Sequence, residues 1–122
     1  MSDLLSKIRD RIENINERKY FVATIPSIGE KLELESLILP ELIDIQNVKS
    51  NDPYAADRYC IYLACPALRE VAKKLKEAGM IDEYTDVCKG FKAGELRILS
   101  SKILELSGGV FEKSKIEFEI KN

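Results

Sequence analysis

Three features of the 122-residue chain predict an α+β protein that is mostly α. Apolar residues recur at helical spacing in Leu4-Leu5-Ile8-Ile12-Ile15 and again in Leu96-Leu99-Ile103-Leu106. Between residues 19 and 35 the pattern changes to strand-like runs around a short connection bearing Pro26 and Gly29. From Pro40 onward the reading is helical, with prolines standing where first turns begin. The expected architecture is an N-terminal helix, a β-hairpin, and then a bundle of about four or five short helices. A C-terminal alternating segment is available as a third strand. Residues 1–109 are expected to form one domain and 110–122 a strand or flexible tail, in keeping with single-domain length.

The first helix begins near Ser2 or Asp3, either of which can cap it, and fades near Asn16. Its Leu/Ile stripe is flanked by Lys7, Arg9, Asp10, Arg11 and Glu13. Lys19 to Ile25 is rich in β-branched and aromatic residues and ends at Pro26. Lys31-Leu32-Glu33-Leu34-Glu35 alternates strictly, so Leu32 and Leu34 face inward and Glu33 and Glu35 face water. A lone hairpin is marginal and must pack on a helix or gain a third strand.

Pro40 suits a first helical position, followed by Leu42, Ile43, Ile45, Gln46 and Val48. Ser50-Asn51-Asp52-Pro53 is a break, with Asp52 as cap for a helix over Pro53–Cys65. That helix is apolar or small nearly all round, through Ala55, Ala56, Tyr59, Cys60, Tyr62, Leu63 and Ala64, and is expected to be the central one. Pro66 resets or kinks the chain. Ala67 to Ala78 then turns Leu68, Val71, Ala72 and Leu75 inward, with Gly79 as C-cap. Met80 to Cys88 reads as a loop and a short helical turn ending at Gly90. The last helix, within Lys92 to Gly109, has clean start and stop signals and is assigned to the core.

Composition excludes more than it suggests. Basic and acidic residues nearly balance, 19 against 21, which is a poor start for neutralising nucleic-acid phosphates. Histidine is absent, removing the commonest general base and metal ligand together. Cys60, Cys65 and Cys88 lack a C-x-x-C spacing. Cys60 and Cys65, five apart, would not share one helical face, and all three read as buried thiols in a reducing compartment. Gly90-Phe91-Lys92-Ala93-Gly94-Glu95 lacks the Gly-Lys-Ser/Thr ending of a phosphate loop. The carboxylate pairs lie on charged, solvated ground, where general acid/base work is not expected. No secretory leader heads the charged Met1–Asn16 segment and no apolar run reaches spanning length, so a soluble intracellular protein is expected. No enzyme activity, metal or cofactor is expected.

Candidate interaction residues are better represented. Leu4, Leu5, Ile8 and Ile12 line a helix that either folds onto the hairpin or reaches another chain. Ile116, Phe118 and Ile120 alternate in the tail, which either pairs within the chain or adds to a neighbour's sheet edge. Val110 and Phe111, just after the glycine stop, are candidates for docking the tail onto the body.

The order of parts is suggestive. Ile28-Gly29-Glu30 at the hairpin turn is followed by Glu41-Leu42-Ile43-Asp44-Ile45-Gln46, then Asp52-Pro53, Asp86-Val87, Gly94-Glu95, and finally Ile103-Leu104-Glu105-Leu106-Ser107-Gly108. This order resembles the tail assembly chaperones of long-tailed bacteriophages and of prophages in Gram-positive bacteria, over roughly Lys19 to Gly109. The resemblance implies a non-enzymatic protein that coats the helical tape-measure protein, keeps it soluble and helps recruit tail-tube subunits. It also implies self-association, residence in the host cytoplasm, absence from the finished virion, and in many members a longer frameshifted form. No nucleic acid or membrane partner is implied. From a different class, the alternative is a small regulatory or adaptor protein of a mobile element, gripping a partner protein through the same apolar stripes.

Overall fold

The computed structural model describes residues 2–108. In order it contains helix α1 (Ser2–Asn14), strands β1 (Tyr20–Ile25) and β2 (Glu30–Glu35), and helices α2 (Leu39–Gln46), α3 (Ala55–Ala64) and α4 (Pro66–Glu77). A 3-10 helix (Tyr84–Gly90) and helix α5 (Ala93–Leu106) follow. This is the mostly helical α+β arrangement that the periodicities predict. The third strand expected within residues 115–121 lies outside the described residues.

The two strands pair antiparallel with Phe21 opposite Leu34, Ala23 opposite Leu32 and Ile25 opposite Glu30. Both faces of β1 are apolar, so its own alternation does not say which face is buried. Strand β2 decides: only Leu32 and Leu34 can enter a core, and cross-strand partners share a face. Leu34 and Ile25 are accordingly buried, Phe21, Ala23 and Leu32 pack against the core, and Tyr20 and Val22 remain exposed. Gly29, at φ +76°, closes the turn in a conformation that L side chains rarely adopt. Its amide donates to the Ile25 carbonyl at 2.9 Å. Packing of β2 against α4 supplies the support that an isolated hairpin needs.

One residue of β2 departs from the alternation. Glu35 does not face water: its side chain is only 14% exposed, between Arg18 at 3.6 Å and Arg69 at 3.8 Å. Arg18 also donates to the Ser36 carbonyl at 3.0 Å and to Glu41 at 2.8 Å. Strand alternation has no access to this, because one cation comes from the linker before β1 and the other from α4.

Helix α3 lies at the centre, packing against α2, α4, the 3-10 helix and α5. Cys60, Ile61 and Ala64 are buried on it. It begins at Ala55 rather than Pro53, because Asp52 Oδ1 accepts from the Tyr54 amide at 2.9 Å and holds a turn before the helix proper. Cys65 belongs to no helical face. It is extended (φ −118°, ψ 99°), ending α3 and preceding Pro66 at the start of α4, so the proline resets the helix. That break lets Cys60 and Cys65 both enter the core, with Cys88, despite their five-residue separation.

Helix α4 centres its inner face on the fully buried Ala72, with Leu68 and Leu75 beside it. Val71 is 44% exposed rather than inward. It sits about 100° around the helix from Ala72, past the edge of the contact. Gly79, at φ +71°, follows the helix. The Met80 amide reaches the Leu75 carbonyl and the Gly79 amide the Lys76 carbonyl, at 2.9 and 3.0 Å, so the C-terminal carbonyls are satisfied in a Schellman turn.

On α5, Leu96, Leu99 and Ile103 are buried and Leu106 is half-buried. This stripe builds the core, as its assignment anticipates. Burial also pushes the Cys60 and Cys88 thiols up to about 12 and raises that of Cys65. Because the thiolate is the nucleophile, all three should resist a thiol reagent at pH 8 in the folded protein and react together in denaturant. Rapid labelling of any of them without denaturant would contradict their placement in the core.

Candidate functional site

Three of the acidic residues in the ordered motifs resolve into local caps. Glu41 accepts from the Ile38 amide at 3.0 Å, at the start of α2. Asp86 Oδ2 accepts from the amides of Asp82 and Glu83 at 3.2 and 3.0 Å, closing the turn before the 3-10 helix, and Asp86 pairs with Lys89 at 3.1 Å. Glu95 Oε1 accepts from the Lys92 amide at 2.8 Å, at the start of α5. Each satisfies a backbone donor that a helix leaves unpaired at its beginning.

Two of the motifs also tie the ends of α5 to the hairpin region. At its start, Ser27 in the hairpin turn donates to Glu95 Oε2 at 2.5 Å. At its end, the Ser107 hydroxyl donates to the Ile103 carbonyl at 2.6 Å and accepts from the Leu37 amide at 2.8 Å. Gly94-Glu95 and Leu106-Ser107-Gly108 are thus connectors between elements distant in sequence. They hold the two ends of α5 to the hairpin turn and to the segment after β2.

The carboxylates among these connectors give a pH dependence of defined sign. The Asp52 carboxyl lies below its ordinary value through the Tyr54 amide and then Arg58. Asp86 is lowered through the Glu83 amide and then Lys89. For Glu95 the Ser27 hydroxyl leads, followed by the Lys92 amide. A lowered folded value means that the unfolded chain takes up protons first as pH falls. Stability from these groups is complete above the ordinary carboxylate range of about 4 and is lost as pH drops through the lowered values. The urea midpoint should therefore fall between pH 5 and pH 3, a window set by those carboxylates; a midpoint that rises there would contradict the assignment.

A partly buried polar cluster between α3 and α5 has a structural role too. Ser100 donates to Asp57 Oδ1 at 2.7 Å, Arg97 Nε lies 3.0 Å from Asp57 Oδ2, and the Arg97 guanidinium stands over the Tyr54 ring at 4.7 Å. These contacts tie α5 to α3. Among the described residues no group of three His, Cys, Asp or Glu side chains is placed to hold a metal ion. No described helix is long and apolar enough to cross a membrane.

What the body leaves unused is α1. Every side chain from Asp3 to Glu17 is exposed. Leu4, Leu5, Ile8 and Ile12 keep between 50% and 69% of their surface in solvent, and Ile15, just past the helix end, keeps 62%. Isolated apolar residues on a surface are ordinary; a contiguous stripe of five is an interaction feature. The helix does not cover the hairpin, whose exposed face carries Tyr20 and Val22. Arg18, clamped to Ser36 and Glu41, fixes the point at which the α1 connection leaves the body.

Four of the candidate interaction residues, Leu4, Leu5, Ile8 and Ile12, are thus brought together on one exposed face. Val110, Phe111, Ile116, Phe118 and Ile120 lie outside the described residues. Sequence reasoning passed over exposed Ile98 and Met80, each single and without a periodic partner to mark it. Compared with protein-family models, curated proteins and solved structures, the chain matches none.

Proposed function

We propose that this protein is a non-enzymatic tail assembly chaperone that binds the tape-measure protein, keeps it soluble and promotes assembly of the tail tube. The observation that carries the reading is the exposed Leu/Ile stripe of α1, which contributes no residue to the core among the described residues. A long client with apolar seams needs repeated, modest apolar grips, and a short amphipathic helix supplies one per copy. Copies side by side along a helical client gain affinity through multivalency, so each contact can be weak. The order of short motifs from Ile28-Gly29-Glu30 to Leu106-Ser107-Gly108 supports the same reading. Under it the protein self-associates, acts in the host cytoplasm, and is absent from the finished virion.

Co-expression with the tape-measure protein tests this. An otherwise insoluble tape-measure product should become soluble and co-purify with the chaperone. A client that stays insoluble and never co-purifies would replace this reading with that of an adaptor for another protein of the mobile element.

A further inference from the structure

The stripe on α1 has a narrower pattern than simple amphipathicity. Leu5, Ile8 and Ile12, continued by Ile15 just past the helix end, are spaced by three, four and three residues, the a/d register of a coiled-coil seam, with Leu4 beside it at g. With Leu5 at a, Arg9 falls at e and Arg11 at g, the two positions bordering the seam. The acids fall away from it: Asp3 and Asp10 at f, Glu13 at b. The ion pair of Asp3 with Lys7, at 3.2 Å, joins f to c on the far side. The charged residues that border the seam are therefore both positive, while the negative charge of α1 points elsewhere.

This segregation selects the occupant. A second copy of α1 gains no ion pair in either orientation. Antiparallel, with the seams in full overlap, Arg9 meets Arg9 and Arg11 meets Arg11 across the two borders. Parallel, Arg9 meets Leu4 and Arg11 meets Asn16. Like charges facing each other weaken helix pairs, and opposite charges at e and g choose partners. A membrane surface is also a poor match. Between Ser2 and Asn14 the three basic residues Lys7, Arg9 and Arg11 are balanced by three acidic ones, Asp3, Asp10 and Glu13, and no aromatic residue is present.

We infer that α1 docks, as one strand of a short two-helix coil, against an amphipathic helix of a partner protein whose seam is bordered by Glu or Asp. The inference rests on reading α1 as the client-contact element and adds the chemistry of the surface it takes. Apolar contact along Leu5, Ile8 and Ile12 provides the adhesion. Arg9 and Arg11 provide the choice of partner.

Two synthetic peptides test it against the full chain. Both carry the same Leu/Ile seam, one with Glu and the other with Lys at every e and g position, and binding is followed by fluorescence anisotropy. The Glu peptide should bind about tenfold tighter, with an advantage that shrinks as salt rises. Arg9→Glu/Arg11→Glu should invert the preference without changing the melting temperature. Equal binding of both peptides, or preference for the Lys peptide, would overturn the inference. So would binding to phosphatidylserine vesicles in place of either peptide, or self-association that Ile8→Ser/Ile12→Ser abolishes. The two proposals fail separately. If the tape-measure protein is solubilised equally well by the charge-reversed variant, the acidic-border inference falls and the chaperone reading stands. If the Glu peptide is preferred but no tape-measure protein is solubilised, the reverse holds.

Discussion

Replacing Ile103 with alanine should lower folding stability by about 2–5 kcal/mol, a large part of what a domain of this size possesses. Ile103 is fully buried on α5, among Leu96, Leu99 and residues of α3, so truncation removes apolar contact and leaves a cavity. Ile98 on the same helix is 73% exposed. Ile98→Ala should change stability by no more than about 0.5 kcal/mol. Urea unfolding of the two variants makes the comparison with residue type and helix held constant. Equal losses, or a larger loss at Ile98, would mean that α5 presents its other face to the body.

The second large effect concerns binding alone. Ile8→Ser/Ile12→Ser should leave the unfolding free energy from urea titration within about 0.5 kcal/mol of the parent, because both side chains are already in solvent and serine and isoleucine have similar helix propensities. If the stripe is buried on the tape-measure protein, the same substitutions remove about 3–6 kcal/mol of apolar burial, equivalent to at least a hundredfold loss of affinity per site. Soluble tape-measure protein on co-expression should then fall to the level found without the chaperone. A variant that is as stable as the parent and solubilises the client equally well would move the contact off α1.

Periodicity alone places the core of this fold wherever one side of an element is apolar and the other charged. Leu96, Leu99 and Ile103 on α5 and Leu34 on β2 are such positions. It fails at β1, where Tyr20, Val22 and Phe21 are all apolar and only the partner strand decides which face is buried. It fails again at Glu35, drawn out of solvent by cations from two separate segments, and at Val71, which lies just past the edge of a contact. The roles of Glu95 and Ser107 were not legible because their decisive partners, Ser27 and Leu37, are 68 and 70 residues away. The α1 stripe is legible as an apolar stripe, but the same pattern serves a helix that docks on its own body and one that docks elsewhere. Exposure of the whole segment separates the two.

The same exposure gives α1 a distinct dynamic signature. A helix of 13 residues that adds nothing to the core among the described residues is marginal in water, so its amides open readily while those of α3 and α5 are held by the core. Hydrogen exchange of the free protein, compared with its complex with the tape-measure protein, is the most direct test that α1 is the client-binding element. Amides from Leu4 to Glu13 should exchange fast in the free protein and become protected in the complex, with α3 and α5 unchanged. Protection of α1 in the free protein equal to that of α5, or client-induced protection confined to the body, would contradict it.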